Sequence, residues 1–110
     1  MDARTLTALR QSIEKWERNA TAETPCDFTL WVHNCPLCEA FGHDGCLGCP
    51  VKGSTGLRGC IGTPYYRAFD ARIRWFDAPS DTALRDAAHV AARAEVAFLR
   101  SLLPEAEATP

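Results

Sequence analysis

Five of the six cysteines in this 110-residue chain fall within residues 35–60, as Cys35-Pro-Leu-Cys38, Cys46-Leu-Gly-Cys49-Pro50 and Gly59-Cys60. No other feature restricts the fold as much. Two thiolates separated by two residues turn back onto one ion, and two such pairs complete a tetrahedral shell. Six of the seven glycines share the same stretch, where a backbone free to take positive φ can bring N–H groups close to sulfur. The expectation is one zinc ion held by four of Cys35, Cys38, Cys46, Cys49 and Cys60, in a glycine-rich loop wrapped around the metal. His33 and His43 flank the cluster and are alternative ligands, although five thiols already exceed four places. An iron–sulfur cluster or a small thiol redox protein is the competing assignment, because Cys49-Pro50 matches the cysteine-proline that closes bacterial ferredoxin motifs. The C-x2-C-x2-C run of those motifs is missing.

The surroundings of the cluster agree with reduced, metal-bound thiols. The start, Met1 to Gln11, lacks an apolar stretch of the signal-peptide kind, and no apolar run reaches the length of a membrane span. A cytoplasmic location is therefore expected, and reducing compartments disfavour disulfides. Net charge is −2, less basic than a general nucleic-acid binder. Residues 51–75 nevertheless gather Lys52, Arg58, Arg67, Arg72 and Arg74 against the one acid Asp70. They define the alternative reading, a nucleic-acid-binding zinc module.

Three helices are expected around the cysteine loop. Over residues 2–20, Leu6, Leu9, Ile13, Trp16 and Ala20 share one face, with Thr5 or Asp2 as cap and Arg4, Arg10, Glu14, Lys15, Glu17 and Arg18 on the others. Trp16 reads as core. From Cys26 to His33, Phe28, Leu30 and Val32 alternate with polar or larger neighbours, which predicts a short strand or hairpin and makes Cys26 a buried small residue. Thr63-Pro64 starts a second helix, whose Tyr66, Phe69, Ile73 and Phe76 repeat the spacing of the first. These matched seams suggest that the two helices pack together, leaving Arg67, Arg72 and Arg74 outside. Ser80 or Asp81 caps a third helix that runs to about Leu103, before Pro104. Its stripe is Leu84, Ala88, Ala91, Ala94, Phe98 and Leu102, and its alanines permit close approach of a neighbour. His89 lies at the edge of that stripe as a satisfied or exposed histidine. The fold class is thus mainly α, one domain over residues 1–103 with a disordered acidic tail at 104–110.

Catalytic patterns are missing from the sequence. There is no His-Glu-x-x-His, no deaminase pairing of His-x-Glu with Cys-x-x-Cys, and no Ser-His-Asp set. Glu39, beside Cys38, reads as a solvated carboxylate. The ordered motifs Ile13-Glu-Lys-Trp-Glu17, Cys35-Pro-Leu-Cys38, Cys46-Leu-Gly-Cys49-Pro-Val51 and Gly59-Cys-Ile-Gly-Thr-Pro-Tyr65 resemble a group of small zinc-binding proteins of phages and prophages. The resemblance covers about residues 9–66 and implies a metal-binding accessory protein; it assigns no activity, and with the catalytic patterns missing a non-enzymatic protein found in a bacterial host cell is expected. Proteins of this kind often act on host machinery, so it also implies a host or phage protein as partner, for example in an anti-CRISPR-like inhibitor of a bacterial defence system.

Overall fold

The computed structural model describes residues 1–30, 36–41, 48–57, 60 and 62–104, without the side chains of Cys38 and Glu39. Its elements are α1 (Ala3–Asn19), a 3₁₀ turn (Pro25–Asp27), α2 (Pro36–Phe41), α3 (Pro50–Thr55), α4 (Tyr65–Asp77) and α5 (Thr82–Ser101). The mainly α class holds. The three long helices fall where the periodicity places them, while α2 and α3 interrupt what reads in sequence as one continuous glycine-rich loop. Proline opens both short helices, at the position where its missing N–H matters least. The acidic tail at 105–110 and the histidines His33 and His43 lie outside the described residues.

Acidic caps start the first and last helices. Asp2 accepts from Thr5 N at 2.7 Å. Asp81 accepts from Ala83 N at 2.9 Å and from Leu84 N at 3.2 Å. Each supplies an acceptor to N–H groups that no helical carbonyl reaches. The start of α4 uses a hydroxyl instead: Thr63 Oγ1 accepts from Tyr65 N at 3.2 Å while donating to Cys60 O at 2.7 Å.

α5 lies between α1 and α4 and packs on both. This replaces the expected direct pairing of the first two long helices, which touch through a T-shaped contact of Trp16 with Tyr65 at 5.9 Å. Small residues make the sandwich possible. Ala88, Ala91 and Ala92 of α5 and Ala68 of α4 are all buried, and a methyl side chain allows close helix axes. Because α5 has neighbours on two sides, its buried set extends to Glu95, Val96 and Leu99. Leu84, Ala94, Phe98 and Leu102 of the expected stripe are only half-buried.

The register of α4 also differs from the expected one. Tyr66, Ile73 and Phe76 are exposed, while Ala68 and Trp75 are buried. Tyr65, Phe69 and Ala71 pack partly against the core. The apolar arc of this helix is wider than one seam, and the core takes the half that carries Trp75. Trp75 is anchored by donating Nε1 to Pro79 O at 3.3 Å and by an edge contact with His89 at 5.8 Å. His89 Nε2 in turn lies 2.7 Å from Ala22 O, so it is a satisfied histidine, with that nitrogen as donor.

No strand occurs among the described residues, and the Cys26–Leu30 part of the expected strand is a 3₁₀ turn followed by extended chain. The alternation was a true signal of burial, since Phe28 and Leu30 are buried with Thr29 half-buried between them. The hydrogen bonds come from side chains. Thr29 N donates to Asn19 Oδ1 at 3.0 Å, Asn19 Nδ2 donates to Thr29 O at 2.9 Å, and Tyr65 Oη donates to Leu30 O at 2.8 Å. The amide of Asn19 thus stands where a neighbouring strand would, satisfying both backbone groups of Thr29.

Two residues on the first half of the chain sit differently from expectation. Cys26 is exposed, because Pro25 takes the buried place and Arg72 Nε donates to Pro25 O at 3.1 Å, turning the next residue outward. Lys15 is buried, with its ammonium 5.3 Å from the Trp16 ring centroid. A lysine stem can lie along an apolar surface that a shorter charged residue could not share.

Candidate metal centre

α1 is the platform on which the cysteine-rich segment is assembled. Ser12 is buried in its middle and accepts from Leu37 N at 3.3 Å, tying the first turn of α2 to α1. Arg4 fastens the other end, donating Nη2 to Ala40 O and lying 5.2 Å from the Phe41 ring centroid. Leu37 and Phe41 are both buried against this surface. A six-residue helix is too short to persist alone in water, so these tertiary contacts hold the backbone of Cys38 in place.

The turn before Cys49 lies against Phe41. Gly48 has φ +85, and a Cβ placed there would stand 3.5 Å from Phe41 Cε1. The left-handed conformation turns the chain so that Cys49, buried, forms the cap position of α3. Cys49 O accepts from Gly53 N at 3.0 Å, and Val51 is buried one residue further on. α3 then ends at Gly56, φ +74, whose N–H donates to Lys52 O at 2.7 Å. A groove of about 660 Å³ runs between this turn and the start of α1, lined by Met1, Asp2, Thr5, Cys49, Pro50 and Lys52 among others. Cys60 is half-buried and its carbonyl accepts both the N–H (3.2 Å) and the hydroxyl of Thr63.

Of the expected ligands, Cys35 and Cys46 lie outside the described residues, as does the side chain of Cys38. Cys49 and Cys60 are the two whose thiols are placed, and neither forms a disulfide. Among the described residues no cluster of three or more His, Cys, Asp or Glu side chains converges. The donor chemistry nevertheless suits zinc. Two backbone segments, each carrying one end of a Cys-x-x-Cys pair, are brought together by Phe41 and Gly48 beside a buried cysteine. Four thiolates gathered there would suit a zinc ion, whose charge would offset theirs.

Four of the five basic residues are described. Arg72 is half-buried, bonded to Pro25 O and stacked 4.9 Å from the Phe76 ring centroid. Arg74 pairs with Asp70 at 3.2 Å on the exposed side of α4, Arg67 is exposed on the same helix, and Lys52 belongs to α3. Arg58 lies outside the described residues. Arg72 therefore serves packing, not the outer surface where periodicity places it. Ser12, Arg4 and Phe41 are the residues that position α2 and the Gly48 turn and that spacing alone does not single out. Each acts through a contact distant in sequence.

Among the described residues no helix is long and apolar enough to cross a membrane. Comparison with protein-family models, with curated proteins and with solved structures found no match for the chain.

Proposed function

We propose that this chain is a non-enzymatic interaction protein in which one zinc ion fixes the shape of the segment between α1 and α4. Four of Cys35, Cys38, Cys46, Cys49 and Cys60 hold the ion. The observation that supports the reading is that α2, which carries the backbone of Cys38, and the turn that carries the buried Cys49 both lie beside α1. When bound, zinc supplies charge neutralisation and a covalent-like crosslink between α2 and α3. The thiolates, the buried Phe41 and the Arg4 and Ser12 contacts set the position. With all coordination places filled by sulfur, no open position is left for substrate or water, which separates such a site from hydrolytic zinc centres. The partner is a host or phage protein, and the narrower form, an inhibitor of a bacterial defence system, rests on the motif resemblance.

Elemental analysis of untagged protein, with absorbance scans of aerobic and anaerobic samples, tests the metal. One zinc per chain without visible absorbance is the expected result. Iron with a broad visible band would replace the reading with an electron-transfer or redox protein. Stoichiometric capture of a host protein by the zinc-loaded chain is expected. Failure to retain any host protein would remove the interaction role.

A further inference from the structure

Helix α4 carries a second apolar seam that the described residues leave open. Tyr66, Ile73 and Phe76 remain 54%, 42% and 52% exposed, and with the half-buried Phe69 they repeat at the 3-4-3 spacing of a packing face. The seam is held ready. Arg72 stacks on the Phe76 ring from the side that faces the 3₁₀ turn, and Tyr65 meets Tyr66 edge-on at 5.3 Å. Aromatic residues fixed by neighbours lose little side-chain freedom on being covered.

The charges along one edge of this seam specify the occupant. Each apolar residue is followed by a charged one, Arg67, Asp70, Arg74 and Asp77, so the signs run plus, minus, plus, minus down the helix. Read backwards the same row is minus, plus, minus, plus. A second copy of α4 laid antiparallel therefore opposes every charge with its opposite. With the twofold axis beside Arg72, Arg67 faces the partner's Asp77 and Asp70 faces the partner's Arg74. At a rise of about 1.5 Å per residue the apolar residues of the two helices then interleave, with Ile73 nearest the axis. A twofold perpendicular to the helices brings the same edge of both together, as an isologous interface requires. Arg74 is engaged with Asp70 inside the monomer, but an exposed pair of this kind is worth little and can be exchanged. No ion pair occupies Arg67 or Asp77 among the described residues.

We infer that the chain forms an antiparallel homodimer through the Tyr66–Ile73–Phe76 face of α4, with register set by Arg67, Asp70, Arg74 and Asp77. The inference is independent of the metal, since none of these residues belongs to the cysteine segment.

Sedimentation equilibrium on the full chain tests it, with two charge-altered double variants, R67E/R74E and D70R/D77R. Both change exposed side chains, and circular dichroism checks that helicity is kept. The native chain is expected to be dimeric at micromolar concentration. Each double variant alone aligns like charges and should weaken self-association by about a hundredfold, while an equimolar mixture of the two should restore a dimer. Ile73→Glu should dissociate the dimer without rescue by either. A native chain that stays monomeric overturns the inference and leaves the face to a different protein. A dimer indifferent to the charge variants, or a mixture that fails to re-form one, overturns it as well.

Discussion

The helical frame of α1, α4 and α5 and the cysteine-rich middle of the chain are built by different physics. In the frame, helices of 13 to 20 residues begin at side-chain caps and bury large aromatic rings and close-packed alanines. In the middle, the six-residue helices α2 and α3 bury, among the described side chains, only Leu37, Phe41 and Val51 and are tied at a few points: Ser12 to Leu37, Arg4 to Ala40 and Phe41, Phe41 against Gly48. Burial sums over many atoms and needs no ion, whereas a short helix held at a few points gains little from its own hydrogen bonds. The frame is held by packing, whereas on the proposed reading a bound zinc ion would complete the middle.

That contrast is open to attack by substitution, and the largest expected effect is in the frame. Trp16 is almost fully buried and meets Phe28 edge-on at 5.8 Å as well as Tyr65. Trp16→Ala should destabilise the protein by about 3–5 kcal/mol in urea titrations, with or without metal. Asn19→Ala removes both partners of the Thr29 backbone and should lower stability by about 2 kcal/mol, since it strands an N–H and a carbonyl in a half-buried place.

The next change addresses the middle. Gly48→Ala meets only an ordinary contact with Phe41, so the penalty is the positive φ, about 1 kcal/mol. It should appear as zinc affinity weakened about fivefold by competition with a chromophoric chelator, while the urea midpoint of the metal-free frame stays in place. A drop in that midpoint instead would mean that the two regions share one stability. Asp81→Ala should cost about 1 kcal/mol, read from the thermal transition, with zinc affinity untouched.

The smallest effect concerns pH. The backbone hydrogen bond from Thr5 holds the Asp2 carboxyl below its ordinary range, helped by the Thr5 side chain and by the positive charges of Arg4 and the N-terminus. A depressed pKa adds stability above the unfolded value and loses it as pH falls through the folded one. Acidification should therefore fray the first turn of α1, seen as a small loss of helical circular dichroism. Asp2→Asn should remove the pH dependence of that loss.

Much of the frame was legible because its signals are local. Asp2 and Asp81 lie at cap positions directly before periodic runs, and Leu9, Ile13 and Trp16 fall on one seam with nothing competing. The misreadings come from long-range choices. On α4 two apolar seams overlap, and periodicity cannot tell which one Trp75 draws into the core. Phe28 and Leu30 alternate like a strand, but the groups that satisfy the intervening backbone belong to Asn19 and Tyr65, distant in sequence. Lys15 looks like a surface residue until the Trp16 ring gives its stem a place. For the proposed metal centre, the cysteine spacing was plain to read, whereas the anchoring of α2 by Ser12 and Arg4 was not. Neither residue carries a pattern, and only the folded α1 brings them beside α2.

Hydrogen–deuterium exchange on zinc-loaded and zinc-stripped protein tests the division between frame and middle most directly. The account predicts that removing zinc raises exchange in Pro36–Phe41 and Pro50–Thr55, while Ala3–Asn19 and Thr82–Ser101 keep their protection. Equal exchange in both samples, or loss of protection across all helices together, would contradict it.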